Sequence, residues 1–117
     1  MTEFNKDKRF DISLKEGEIK EQELANILTN KKIEVKFDKL FHRTGNLAIE
    51  FQSRGKESGI CTTEADYWAF VLDKTGIIMI IDREILQEKL KVIPNKKVKG
   101  GDDNTSDIVL IKPEDLW

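Results

Sequence analysis

Two short runs of strict alternation constrain this chain most. In "KKIEVKFDKLFHRTGNLAIEFQSRG", residues 31–55, Ile33, Val35 and Phe37 are separated by Glu34, Lys36 and Asp38. Leu47, Ile49 and Phe51 are likewise separated by Ala48 and Glu50, with Asn46 and Gln52 flanking them. Side chains on a strand alternate faces, so each run predicts a half-buried β-strand. With both apolar sets toward a core, both charged sets point the same way, and a hairpin centred near His42 sets Glu34 opposite Glu50. Two or three carboxylates and the Lys36 ammonium then lie within several ångströms. Facing carboxylates repel unless a cation compensates them. An ordinary solvated hairpin face gives the same alternation.

At 117 residues the chain is of single-domain length and can bury a core without staples. Charged residues make up 36% and apolar residues 38%, the balance of a soluble domain with a solvated surface. No apolar run reaches membrane-spanning length, and Met1 leads into a polar, charged stretch rather than a signal peptide. Cys61 is the lone cysteine, which excludes an internal disulfide, argues against a zinc cluster and suits a reducing cytoplasm. The net charge of −2 does not by itself point to nucleic acid. Its distribution says more. Residues 31–56 hold seven Lys/Arg (Lys31, Lys32, Lys36, Lys39, Arg43, Arg54, Lys56) against three acids. Lys91, Lys96, Lys97 and Lys99 form a second basic stretch. Either block can neutralise phosphates, and either reads equally well as solvated loop.

Around the two strands, the pattern predicts a helix from about Lys15 to Leu28, N-capped by Ser13, with Leu24, Ile27 and Leu28 on one face. Residues 1–10 read as a mobile polar tail. "GKESGICT" predicts a turn and a short strand. "TTEADYWAFVLD" predicts a second helix, with Thr63 and Asp66 as a capping box and Ala65, Trp68, Ala69 and Leu72 as its buried stripe. "IIMII" (77–81) predicts a central strand covered on both faces. Asp82 caps a helix "REILQEKLK". Residues 94–107 read as a flexible loop, 108–111 as a last strand, and Pro113 opens a final helical turn. The order helix, strand, strand, short strand, helix, strand, helix, strand makes an α/β domain around a mixed sheet.

The stretch "GEIKEQELANIL" resembles the opening helix of Holliday junction resolvases and other members of the PD-(D/E)XK nuclease superfamily. Gly17, Glu21, Glu23, Leu24, Ile27 and Leu28 carry the likeness. In that superfamily a hairpin follows, with an acid on one strand and an acid-x-Lys triplet on the next. The segment "IEFQSRGKESGICTTEADYWAFVLDKTGIIMII" is similar to that second half in order and length, and "TGN…IE…RGK.SGI…EADYW" resembles small phage-type proteins of the group. The resemblance covers residues 15–85. It implies a restriction-endonuclease-like core over about 12–90, with a basic C-terminal addition over 91–117. It implies a metal-dependent endonuclease that hydrolyses DNA phosphodiester bonds, with a structure- or junction-specific preference for branched DNA left open, and with Mg²⁺ or Mn²⁺ as cofactor.

The chain departs from the pattern at the triplet, where Glu50-Phe51-Gln52 ends in glutamine. Either Gln52 replaces the lysine or Lys36 supplies the ammonium from the neighbouring strand. A rival alignment takes Glu34-Val35-Lys36 as the triplet, but no good acid precedes it on a strand. By this likeness the metal ligands are Glu34 or Asp38, with Glu50. Glu21 reaches the metal through a water. Lys32, Lys39, Arg43, Arg54, Lys56, Lys96, Lys97 and Lys99 contact DNA. No membrane partner is expected, and a homodimer is left open. Two other readings stand beside this one: a catalytically inactive nucleic-acid-binding or interaction protein on the same fold, and a small regulatory α/β protein with a charged hairpin. His42 and Cys61 read as a solvated loop histidine and a small core residue.

Overall fold

The first surprise is that the two alternating strands do not pair. In the computed structural model, which describes residues 8–117, β1 (Ile33–Asp38) lies in one sheet and β2 (Leu47–Ser53) in another. β1 runs parallel to β4 (Tyr67–Leu72), with Glu34 beside Trp68 and Asp38 beside Leu72. β5 (Ile77–Asp82) pairs antiparallel on the other side of β4, so this sheet has the order β1-β4-β5. The second sheet has the order β3-β2-β7-β6, with β3 at Lys56–Glu57, β6 at Lys96–Gly100 and β7 at Ser106–Ile111. Glu50 therefore stands opposite Ile108, not Glu34. The expected hairpin register is corrected on this point. A parallel β1–β4 pair needs a long crossover, and residues 39–66, which include β2, supply it.

The chain divides into two units, residues 1–31 and 32–117. The first holds helix α1 (Lys8–Asn30). It starts earlier than the pattern suggested, so Ser13 sits inside the helix rather than capping it. Lys20 pairs with Glu23 at 3.1 Å, and the Thr29 hydroxyl donates to the Ala25 carbonyl at 2.7 Å. The expectation for the first seven residues of the polar tail lies outside the described residues.

The second unit holds everything else. Its core joins Trp68, Phe70 and Leu72 of the first sheet to Leu47, Ile49, Val109 and Ile111 of the second, closed by Ile60, Leu86 and Leu116. Each such side chain contributes about 1.5–3 kcal/mol by leaving water. A one-turn helix α2 (Phe41–Thr44) precedes β2, and Leu86 comes from α3 (Arg83–Val92), whose N-terminus is capped as expected: the Asp82 carboxylate accepts from Ile85 N–H at 3.0 Å. The chain is mixed α/β, as its pattern predicts. Among the described residues no helix is long and apolar enough to cross a membrane.

Several elements differ from expectation. Residues 67–72 form a strand, not a helix. "YWAFVL" is aromatic and apolar on both faces, which a helical stripe at i, i+3, i+4 mimics but a central strand requires. Thr63 and Asp66 cap no helix: Thr63 Oγ1 accepts from Ala65 N–H and Trp68 Nε1, and Asp66 Oδ2 accepts from Lys32 N–H. The short strand expected in "GKESGICT" is β3, and "GIC" beyond it forms a 3₁₀ turn at Gly59–Cys61. The 94–107 segment contains β6, because its lysines lie on an edge strand where charge is tolerated. β5 is also an edge strand, and its Ile78 and Ile80 are exposed.

Candidate functional site

The candidate carboxylates start from β1. Its face with Glu34, Lys36 and Asp38 is level with Trp68, Phe70 and Leu72, so the charged set turns toward the core side of the sheet. Lys36 Nζ lies 3.5 Å from Glu34 Oε1 and 5.2 Å from the centre of the Trp68 ring. Glu34 and Asp38 are four residues apart on an extended strand, about 13 Å at 3.3 Å per residue. They cannot jointly ligate one Mg²⁺, whose bonds are about 2 Å long.

Asp38 is the unusual residue of the three. It is 8% exposed at the end of β1. Its Oδ1 accepts from Ala48 N–H at 3.2 Å, which ties the end of β1 to the start of β2. Its Oδ2 is buried and has no hydrogen-bond partner among the described residues. Burial holds the Asp38 carboxyl above its ordinary pKa, and the Ala48 hydrogen bond pulls partly the other way. Nearby on the chain, His42 Nδ1 lies 3.4 Å from Asp73 Oδ2, and Asp73 N–H donates to the Asp38 carbonyl.

Glu50 projects from β2 on the side opposite the buried Leu47 and Ile49. Both its oxygens are held by hydroxyls. Ser106 Oγ donates to Oε1 at 2.5 Å and Ser58 Oγ donates to Oε2 at 2.9 Å. The adjacent Gly59 has φ +55°, and a Cβ there would fall 2.1 Å from the Glu50 carbonyl oxygen, so no other residue fits. A bulge between Glu50 and Gln52 sets Gln52 level with Asp107 and Glu57. Nothing in the sequence around Ser58 joins it to Glu50, and no local pattern joins Ser106 to it either.

The expected residues are therefore not gathered at one point. Asp38 touches β2 two residues before Glu50, while Glu34 and Lys36 lie farther back along β1. Glu21 is exposed on α1, in the other unit. Among the described residues no three His, Cys, Asp or Glu side chains form a group able to hold a metal ion. Lys32, Lys39, Arg43, Arg54 and Lys56 are all exposed. Arg54 and Gly55 form the two-residue turn between β2 and β3, both with positive φ, as type I′ turns require. On β6, Lys99 pairs with Asp107, and Lys97 Nζ stands 5.6 Å over the Phe51 ring. Phe51 and Lys97 line a groove of about 550 Å³ with Ile60, Leu90, Lys91 and Val109. Cys61 borders the same groove, exposed rather than in the core. Partial burial and then the Glu57 carboxylate push its thiol up, the reverse of what an activated nucleophile needs.

No protein-family model matches this chain, and no curated protein or solved structure does.

Proposed function

We propose that this chain is a metal-dependent DNA endonuclease on a restriction-endonuclease-like core, with Asp38 and Glu50 as its acids. The observation that carries the reading is the buried, partnerless Oδ2 of Asp38. A buried carboxylate oxygen without a donor costs stability, and such a cost persists where function uses the group. A hard cation satisfies it and stabilises the ionised form. Mg²⁺ is commonly held by only one or two carboxylates and waters, so Asp38 with waters is a sufficient inner donor set.

When bound, Mg²⁺ or Mn²⁺ supplies polarisation of the scissile phosphate and a more acidic attacking water. The chain's own residues do the rest. Ala48 N–H fixes Asp38 Oδ1 and leaves Oδ2 free. Ser58 and Ser106 fix both Glu50 oxygens, and each oxygen keeps a lone pair beyond its hydroxyl bond. Lys36, on the same face of β1 as Asp38, offsets charge on the phosphate in place of the lysine that Gln52 lacks. Lys32, Lys39, Arg43, Arg54 and Lys56 attract the DNA backbone.

The two serine hydroxyls on Glu50 favour a second reading, a nucleic-acid-binding protein on a decayed nuclease fold. A carboxylate held that way is also a purely structural one. Cleavage of branched and linear DNA with Mn²⁺ separates the two. On the nuclease reading, Asp38→Asn and Glu50→Gln each lower the rate at least about a hundredfold, the scale of losing a preorganised charge. Glu34→Gln leaves it near wild type, because Glu34 lies too far along β1. A folded wild type that binds DNA in a salt-dependent way and cuts none of it leaves the binding reading standing.

A further inference from the structure

Within residues 32–117, the outer face of the β1-β4-β5 sheet is apolar and largely exposed. Reading across its levels, Ile33, Tyr67 and Asp82 share the first, Val35, Ala69 and Ile80 the second, Phe37, Val71 and Ile78 the third. Val35 is 61% exposed, Phe37 57%, Ile78 61% and Ile80 37%. Asp82 is the one charged group on this face, and it sits at a corner, engaged in capping α3. The residues of β5 read in the sequence as a strand covered on both faces, yet one face of that strand remains open here.

We infer that this face is the contact between two copies of the chain, packed sheet on sheet about a twofold axis. Strands about 4.8 Å apart, with same-face residues about 6.7 Å apart, give three strands and three levels a projected area on the order of 300 Å². Protruding side chains raise the accessible area well above that. A stable interface buries about 800 Å² per partner, a little over half of it apolar. The face thus supplies the apolar centre of a standard interface. Its lack of charge offers nothing to an acidic or basic partner, but it suits an isologous contact, in which the same patch meets itself. Facing sheets interdigitate their side chains at about 10 Å separation, and Val35, Phe37, Ile78 and Ile80 stand out from this face to do so.

The test uses the full chain. Light scattering over the micromolar to millimolar range should show a reversible monomer–dimer equilibrium. On dilution, the methyl NMR signals of Ile78 and Ile80 should shift, while those of Ile49 and Ile111, buried within the protomer, should not. Phe37→Glu should weaken the dimer at least about thirtyfold, the scale of losing an interface hot spot. Circular dichroism should remain unchanged, since Phe37 is exposed in the protomer. Should Phe37→Glu fold poorly, Ile78→Ala and the wild-type methyl shifts still decide the matter. A wild type that stays monomeric at every concentration overturns the inference. So does a dimer indifferent to Phe37→Glu and Ile78→Ala, or one whose Ile78 and Ile80 methyls do not respond to dilution. A monomer that these exposed-face variants destabilise shows that the face is covered from within the chain, which overturns it as well.

Discussion

β1 and β2 carry the same alternation of apolar and polar residues and meet opposite fates. In β2 the apolar Leu47 and Ile49 are both 0% exposed, and Ala48 and Glu50 face away from the core. In β1 the apolar Val35 and Phe37 face outward, while Glu34, Lys36 and Asp38 lie on the side of Trp68 and Phe70. Alternation tells which residues share a face, but not which face is buried. That depends on the partner strand, and the partner of β1 lies some thirty residues away. The inversion also explains why Asp38 is buried and why one sheet face is left apolar and open.

The comparison predicts its own largest effect. Ile49→Ala should lower stability by about 2–5 kcal/mol in urea denaturation, because it hollows the core. Val35→Ala, in the matching position of β1, should change the dilute protomer by no more than about 0.5 kcal/mol. Equal losses at the two sites would mean that β1 buries its apolar set after all.

Next comes the clamp on Glu50. Ser106→Ala removes the 2.5 Å hydrogen bond to a carboxylate and should cost about 1.5–3 kcal/mol. Glu34→Gln, the counterpart on β1, loses only an exposed ion pair and should cost well under 1 kcal/mol. A neutral Ser106→Ala would show that Glu50 is solvated and that the two acids are alike.

Much of this was legible in the residues. The Asp82 cap, the strands at 47–53 and 77–82 and the turn at Pro113 all follow from local chemistry. So does the mixed α/β class. Strand partnership did not, because β1–β4 and β2–β7 are non-local pairings that period-two patterning leaves open. "YWAFVL" misled for the same reason: a strand apolar on both faces has no alternation left to read. Asp38 and Glu50 stood out as acids on strands. Their surroundings did not, since the Ser106 partner lies 56 residues from Glu50 and burial of Asp38 depends on which way β1 faces.

Asp38 supplies a smaller effect of opposite sign. Below its ordinary pKa the residue is protonated in both folded and unfolded chains and costs nothing extra. As pH rises through that value the unfolded chain ionises first, so stability falls. The fall is complete once pH passes the raised value of the folded state. The wild type should therefore be more stable in mild acid than at neutral pH with respect to this group. Asp38→Asn should remove that slope and raise neutral-pH stability by about 1 kcal/mol. On the nuclease reading the same variant loses cleavage, a gain in stability at the expense of activity. If Asp38→Asn is less stable at neutral pH than the wild type, the carboxylate has a partner that its burial conceals.

A small stability effect belongs to Lys36, and it separates function from fold. Lys36 pairs with Glu34 at 3.5 Å and stands over the Trp68 ring at 5.2 Å, with its side chain 39% exposed. An exposed pair contributes about 0–1 kcal/mol, and a half-exposed ammonium over an aromatic ring about 0.5–1 kcal/mol. Lys36→Met keeps the apolar stem against Trp68 and loses only the charge. Its stability should fall by less than about 1 kcal/mol, with little change in Mn²⁺ affinity, because no carboxylate is removed. Cleavage should nevertheless drop at least about a hundredfold if this ammonium serves the phosphate. Normal cleavage by Lys36→Met would assign that role to Gln52 on β2 and leave Lys36 as a partner of Glu34 and Trp68. In that case the chemistry of the site would belong to β2, and the charged face of β1 would contribute Asp38 alone.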